Sequence, residues 1–202
     1  DRRKASGSPQ GFSDKPVIAL LPGSRQQEII VKLPVMLEVS RSFPGYQFIV
    51  ARAPGTDASF YDKLVKEYAN VSSVSNQTYD LLQQSVAALV TSGTATLETA
   101  LFGVPEVVCY KGSWLSYQIG KRLVKVKYIS LVNLIMDKPV VKELIQQEMT
   151  VPRLTEALKN ILFDEQQRRE IGNDYLQLRE KLAAGGRASE QAAESISRFL
   201  QQ

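Results

Sequence analysis

The sequence predicts an α/β protein, a parallel sheet flanked by helices and followed by a helical C-terminal tail. Three observations predict it. Short apolar runs bounded by turn residues alternate with stretches of helical spacing over residues 16–110. The first of these runs is apolar throughout, the mark of a strand covered on both faces and hence of parallel pairing. The last third carries mainly helical periodicity. Strands alternating with helices on this period require right-handed crossovers.

Residues 1–15 (DRRKASGSPQGFSDK) have no apolar periodicity and read as a linker or mobile end, with order beginning at Pro16. The first strand, Val17-Ile18-Ala19-Leu20-Leu21, stops at Pro22-Gly23-Ser24-Arg25. A helix follows, with Ile29, Leu33, Leu37 and Val39 at roughly helical spacing. Pro34 marks its first turn or a kink, because proline cannot donate to the preceding turn. The second strand is expected at 46–51 and a helix at 57–69, carrying Phe60, Tyr61, Leu64, Val65 and Tyr68. Then come a strand at 71–74, a helix at 79–84 and a strand at 86–90. A helix over 94–102 is stopped by Gly103, and a strand over 106–110 follows Pro105. Beyond it the spacing predicts a helix over 114–126 and a short strand at 128–131. Helices are expected over 152–162, 165–183 and 188–200, the last two separated by Gly185-Gly186. The final helix puts Ala188, Ala192, Ile196 and Phe199 or Leu200 on one face, a stripe that must cover something.

A chain of 202 residues, 44% hydrophobic and 23% charged, can bury a full core without crosslinks. Its lone Cys109 excludes an intrachain disulfide, and the run Val107-Val108-Cys109-Tyr110 reads as a buried strand in a reducing compartment. There is no histidine, which removes Ser-His and Cys-His catalysis and the commonest zinc ligand. No run approaches a membrane span, and the opening lacks the apolar core of a signal peptide. The expected setting is cytosolic. The chain opens on Asp1 inside linker-like sequence, so a fragment cut at a domain boundary is expected. A net charge of +4 permits an anionic ligand without identifying one.

In an open parallel sheet, ligands bind beyond the carboxyl ends of the strands. Two stretches place phosphate-friendly residues there. Gly23 and Ser24 offer backbone and hydroxyl donors, and Arg25 adds a planar five-donor fork suited to a diphosphate. The alternative for Arg25 is a surface ion pair with Glu28, common and worth little. In the run 90–98, Ser92, Gly93 and Thr94 open a helix whose free N–H groups and dipole attract phosphate. The alternative is an ordinary junction capped by Ser92 or Thr94. Glu98, one turn in, would accept hydrogen bonds from sugar hydroxyls or serve as a dipole partner. No G-x-G-x-x-G follows the first strand and no G-x-x-x-x-G-K-[ST] occurs, which counts against a dinucleotide fold or a P-loop ATPase. The basic stretch Lys121, Arg122, Lys125 and Lys127 is a solvated face or a contact for anionic lipid. Nucleic acid is disfavoured, because no aromatic platform is interleaved with basic residues.

Together these motifs resemble the lipid-A-disaccharide synthase family. The resemblance rests on Ala19-Leu20-Leu21-Pro22-Gly23-Ser24-Arg25 with Glu28-Ile29, on Thr91-Ser92-Gly93-Thr94-Ala95-Thr96-Leu97-Glu98 with the segment through Pro105, and on the segment 123–131 with Asn133. It implies one Rossmann-like half of a GT-B glycosyltransferase, the nucleotide-binding half, with an acceptor-binding N-terminal half missing. On that resemblance residues 16–184 form a UDP-sugar donor-binding domain, and 185–202 a C-terminal amphipathic helix that crosses to the absent domain or a partner chain.

The family joins UDP-2,3-diacylglucosamine to 2,3-diacylglucosamine 1-phosphate through a β-1,6 linkage and releases UDP. It needs no metal or other cofactor, and it works at the cytoplasmic face of the inner membrane of Gram-negative bacteria. The resemblance places Gly23, Ser24 and Arg25 on the donor diphosphate and Ser92, Gly93 and Thr94 on its other side. It gives Glu98 the ribose and has Asn133 line the donor pocket. Arg25 would be the catalytic residue of this half, stabilising the leaving group, with the general base outside the chain. Two positions depart from the family pattern: Val132 stands where proline often precedes Asn133, and Glu106 where an apolar residue is usual. Two other readings stand beside this one, a related UDP-sugar enzyme such as a UDP-sugar 2-epimerase, and a non-catalytic module that uses its C-terminal helices to form a homodimer.

Overall fold

The computed structural model describes residues 11–112 and 127–200, with 185–200 as backbone. The strands are β1 (Val17–Leu21), β2 (Gln47–Arg52), β3 (Val71–Ser75), β4 (Ser85–Thr91), β5 (Glu106–Tyr110) and β6 (Lys142–Ile145). They form one parallel sheet in the order β3-β2-β1-β4-β5-β6. From β1 the chain works outward to β3, returns to β4, and works outward again to β6. The reversal leaves a crevice between β1 and β4 at the carboxyl ends of the strands.

The helices are α1 (Gln26–Ser40), α2 (Ala58–Val65), α3 (Thr78–Gln84), α4 (Thr94–Leu101), α5 (Leu131–Met136), α6 (Val151–Phe163) and α7 (Glu165–Leu200). Each strand feeds two cores because successive side chains point to opposite faces. Along β1, Ile18 and Leu20 join the larger apolar cluster, while Val17, Ala19 and Leu21 join the smaller one. On the larger side α1 buries Ile29, Leu33, Met36 and Leu37, and α6 buries Leu154, Leu158 and Ile161. Leu81 and Leu82 of α3 fill the other side. Each such side chain contributes about 1.5–3 kcal/mol by leaving water, so the two strand ends at the crevice are held from both faces.

Several expectations are corrected. Residues 11–15 are tied down before Pro16: the Phe12 amide donates to the Gln84 side chain at 3.1 Å and Lys15 to the Pro44 carbonyl at 3.0 Å. Of the two readings of Pro34, the first turn is excluded, since it lies inside α1. Residues 128–131 form no strand. Instead Ser130 caps α5, its hydroxyl accepting from the Asn133 amide. The sixth strand lies at Lys142–Ile145, on the sheet edge, where Lys142 and Glu143 interrupt the apolar pattern that marks central strands. Gly185-Gly186 does not divide the tail, since α7 runs unbroken for 36 residues. A glycine costs a helix only about 1 kcal/mol, and without a left-handed cap or a following proline it does not end one. The predicted helix over 114–126 and the side chains of Ala188, Ala192, Ile196, Phe199 and Leu200 lie outside the described residues. Among the described residues no helix is long and apolar enough to cross a membrane.

Candidate functional site

β1 and β4 pair in parallel, Leu21 opposite Val90, with a register shift between Val17 and Ile18. Each runs into a glycine turn and then a helix. Gly23 has φ +115° and Gly93 φ +147°, backbone states that side chains other than glycine rarely adopt. A Cβ on Gly23 would also come within 3.2 Å of Glu28 Oε2, whereas one on Gly93 would meet nothing. Backbone conformation alone therefore selects glycine at 93. Arg25 is the N-cap of α1 and Gly93 that of α4, and neither makes a side-chain cap bond. Two uncapped helix starts thus lie side by side at the switch point, each presenting the N–H groups and positive dipole end that favour an anion.

Between them is an open cleft of about 600 Å³. Gly23, Ser24 and Arg25 line one side, and Ser92, Gly93, Thr94 and Glu98 the other. Arg52, Ala53 and Pro54 at the end of β2, with Thr78 at the start of α3, close the far wall. The fold brings together these predicted residues from positions about 70 apart in sequence because β1 and β4 are neighbours.

Arg25 carries both features weighed for it. Its guanidinium pairs with Glu28 at 3.1 Å, yet the side chain is 81% exposed and lines the cleft. An exposed pair of this kind is worth little and is readily exchanged for a stronger anion. Burial pulls the Glu28 carboxyl up, but the neighbouring Lys32 charge and hydrogen bond, then those of Arg25, outweigh it and hold the group below its ordinary value. The Ser92 hydroxyl donates to the Ile129 carbonyl at 2.8 Å, tying the loop before α5 to the end of β4.

Asn133 is not brought to this cleft. It is buried, and its amide is engaged elsewhere: Nδ2 donates to the Val141 carbonyl and to Glu143 Oε1, each at 2.9 Å, while Oδ1 accepts from the Val141 amide at 2.9 Å. Glu143 also accepts from the amides of Ile129 and Ser130 and from the Ser130 hydroxyl. The pair anchors the 129–133 segment to β6, and through Ile129 it reaches Ser92. Val132, the departure beside it, is fully buried in the larger core.

Sequence reasoning missed Lys32, Arg52 and Glu143. Lys32 falls three residues after Ile29, within the stripe that α1 buries, but its spacing does not name its partner, Thr91. Arg52 sits at the end of β2 and is held by Ser73 at 2.9 Å and Asp62 at 3.0 Å. Glu143 gave no signal, since its partners come from a loop with no pattern of its own.

Glu106, the other departure, is fully buried at the start of β5, and neither carboxyl oxygen has a hydrogen-bond partner among the described residues. Burial pushes its pKa well above the usual carboxylate range, which favours the neutral acid. Cys109 is likewise buried, and burial raises its thiol pKa, which leaves it inert. Among the described residues no His, Cys, Asp or Glu cluster could hold a metal ion. Lys127 pairs with Asp137 at 3.4 Å, both exposed, while Lys121, Arg122 and Lys125 lie outside the described residues.

Comparison with solved structures finds the same architecture. The calicheamicin glycosyltransferase superposes with a TM-score of 0.60 at 19% identity, over 96% of this chain and 44% of that one. A UDP-GlcNAc 2-epimerase from Neisseria meningitidis gives 0.52 at 15% identity, over 85% and 45%. These likenesses show the fold, a Rossmann-like parallel sheet flanked by helices. The chain is 38% identical to the lipid-A-disaccharide synthase of Geobacter metallireducens over 91% of its own length and 49% of that protein. It is 40% identical to that of Syntrophus aciditrophicus over 89% and 48%. The chain thus spans about half the length of these curated relatives. The lipid-A-disaccharide synthetase family model matches residues 5–198, and the chain therefore belongs to the lipid-A-disaccharide synthase family.

Proposed function

We propose that this chain is the donor-binding half of a lipid-A-disaccharide synthase and that its cleft binds the uridine diphosphate portion of UDP-2,3-diacylglucosamine. The observation that carries the reading is the junction of the Gly23-Ser24-Arg25 turn with the Gly93 start of α4 in one cleft at the switch point. Two helix starts and a guanidinium suit a diphosphate, and Glu98, which lines the same cleft, is assigned the ribose hydroxyls. The epimerase neighbour from Neisseria meningitidis, described as bound to UDP-GlcNAc, has the same fold.

In the full enzyme the glucosamine 6-hydroxyl of 2,3-diacylglucosamine 1-phosphate attacks the donor anomeric carbon from the face opposite UDP. A C–O bond forms as the bond to the diphosphate breaks, the hydroxyl proton passes to a base outside this chain, and the configuration inverts to β-1,6. Charge grows on the departing UDP. Arg25 and the starts of α1 and α4 stabilise that charge more in the transition state than in the ground state. In this reading the acceptor site and base belong to the half of the enzyme that this chain does not span, and acylated substrates suit work at a membrane surface, proposed as the cytoplasmic face of the inner membrane.

Calorimetric titration of the 202-residue chain with UDP tests the reading. Saturable one-site binding is expected, weakened about tenfold or more by Arg25→Ala, as for a lost charge-assisted hydrogen bond. Absence of heat with the wild-type chain overturns it.

A further inference from the structure

Lys32 is the one charged side chain on the buried stripe of α1, 4% exposed, and it reaches back to the switch point. Its Nζ donates to the Thr91 hydroxyl at 2.5 Å and to Glu28 Oε2 at 3.3 Å. Glu28 in turn holds Arg25 at 3.1 Å. Two cations therefore share this one carboxylate beside two helix starts, with Glu98 as the other carboxylate lining the cleft. A buried ammonium is costly unless compensated, and here the compensating anion is half-exposed and divided between two partners. The ammonium also lies close behind the Gly23 turn: a Cβ built there would be 3.7 Å from Nζ. Glu28 Oε2 and Thr91 Cγ2 are nearer still, at 3.2 and 3.4 Å, so the ammonium and its two partners meet directly behind this turn.

We propose that Lys32 is a positioning residue of the diphosphate site. From behind the carboxyl ends of β1 and β4 it fixes Thr91 and Glu28, so that Glu28 steers Arg25 over the cleft, and it supplies the buried positive charge that the ligand's phosphates complete. This rests on the uridine diphosphate reading for the ligand's identity, while the anion requirement stands apart from it. A charge buried in protein is screened by salt far less than an exposed one. Lys32 thus supplies the salt-resistant part of anion binding and Arg25 the salt-sensitive part.

The test is titration of the wild-type chain, Lys32→Met, Lys32→Gln and Arg25→Ala with UDP, inorganic pyrophosphate and uridine at low and high salt. Lys32→Gln keeps a donor for Thr91 without the charge, and provides the reading if Lys32→Met does not fold. Both Lys32 variants are expected to weaken UDP and pyrophosphate about tenfold or more at either salt concentration, with uridine unchanged. The Arg25→Ala effect is expected to shrink as salt rises. Equal loss of uridine and UDP, or Lys32 variants that bind UDP like wild type, overturns the proposal. Pyrophosphate binding that depends on Lys32 without any UDP preference sinks the nucleotide reading and leaves the role of Lys32 standing. A wild-type chain that binds neither anion overturns both.

Discussion

Asn133 and Glu143 are bonded side chain to side chain at 2.9 Å, across the gap between α5 and the edge strand β6. The pair closes a network in which every polar atom of the Asn133 amide group is used, and the same carboxylate gathers the Ile129 and Ser130 amides. Buried networks of this kind are strong when complete and expensive when broken. Asn133 therefore contributes to the architecture behind the cleft.

Asn133→Ala is expected to lower stability by about 2–3 kcal/mol, through bonding groups left unsatisfied in the interior. Urea unfolding measures the loss, and UDP titration of the folded protein measures any effect on the cleft. An unchanged unfolding midpoint with abolished UDP binding would instead put Asn133 at the ligand.

Gly93→Ala forces a side chain into φ +147°. The cost is expected to be about 1–3 kcal/mol, read as a fall in thermal midpoint. Because a Cβ at 93 meets no neighbour, the loss comes from backbone strain, and a turn that relaxes to relieve it misaligns the start of α4. UDP affinity should fall as well. A variant with wild-type stability and affinity would show that the turn is not constrained.

Glu98 lines the cleft one turn into α4. Replacing it by Ala is expected to erase a preference for UDP over 2′-deoxy-UDP of about tenfold, the worth of a hydrogen bond to a charged group. Competition titrations decide it, and an undiminished preference in the variant removes Glu98 from the ribose.

Glu106 makes a stability prediction with a defined sign. Its folded pKa is raised by burial, so between the ordinary carboxylate value and the raised one the folded state holds a proton that the unfolded state has lost. This contribution is fully present below the ordinary value and drains away as pH rises toward the folded one. Glu106→Leu removes two unpartnered oxygens and is expected to stabilise the chain by about 1–3 kcal/mol. The advantage should be larger at about pH 8 than at about pH 5, because the unperturbed carboxyl titrates near pH 4.3. Urea midpoints that show no gain at either pH would mean that the acid is satisfied in solution.

The central elements were legible in the sequence because their signals are local. Uninterrupted apolar runs such as 17–21 mark strands covered on both faces, and Gly23 and Gly93 mark turns whose backbone few other residues can adopt. Gly23, Ser24, Arg25, Ser92, Gly93 and Thr94 of the cleft were legible for the same reason, as each lies within a few positions of a strand end, whereas Arg52 and Thr78 were not. The resemblance between the motifs and a known family suggested a ligand, which spacing alone does not specify.

What only the tertiary structure decided depends on neighbours far apart in the chain. β6 is an edge strand, and its polar residues hid it. Asn133 has a motif-like setting, yet Glu143 and Val141 take its amide. Lys32 reads as one more lysine until Thr91, 59 positions away, is found against its ammonium. Local sequence determines backbone preference and apolar period, both properties of a few consecutive residues. The partner of a polar side chain is set by strand order, and strand order exists only once the sheet has formed.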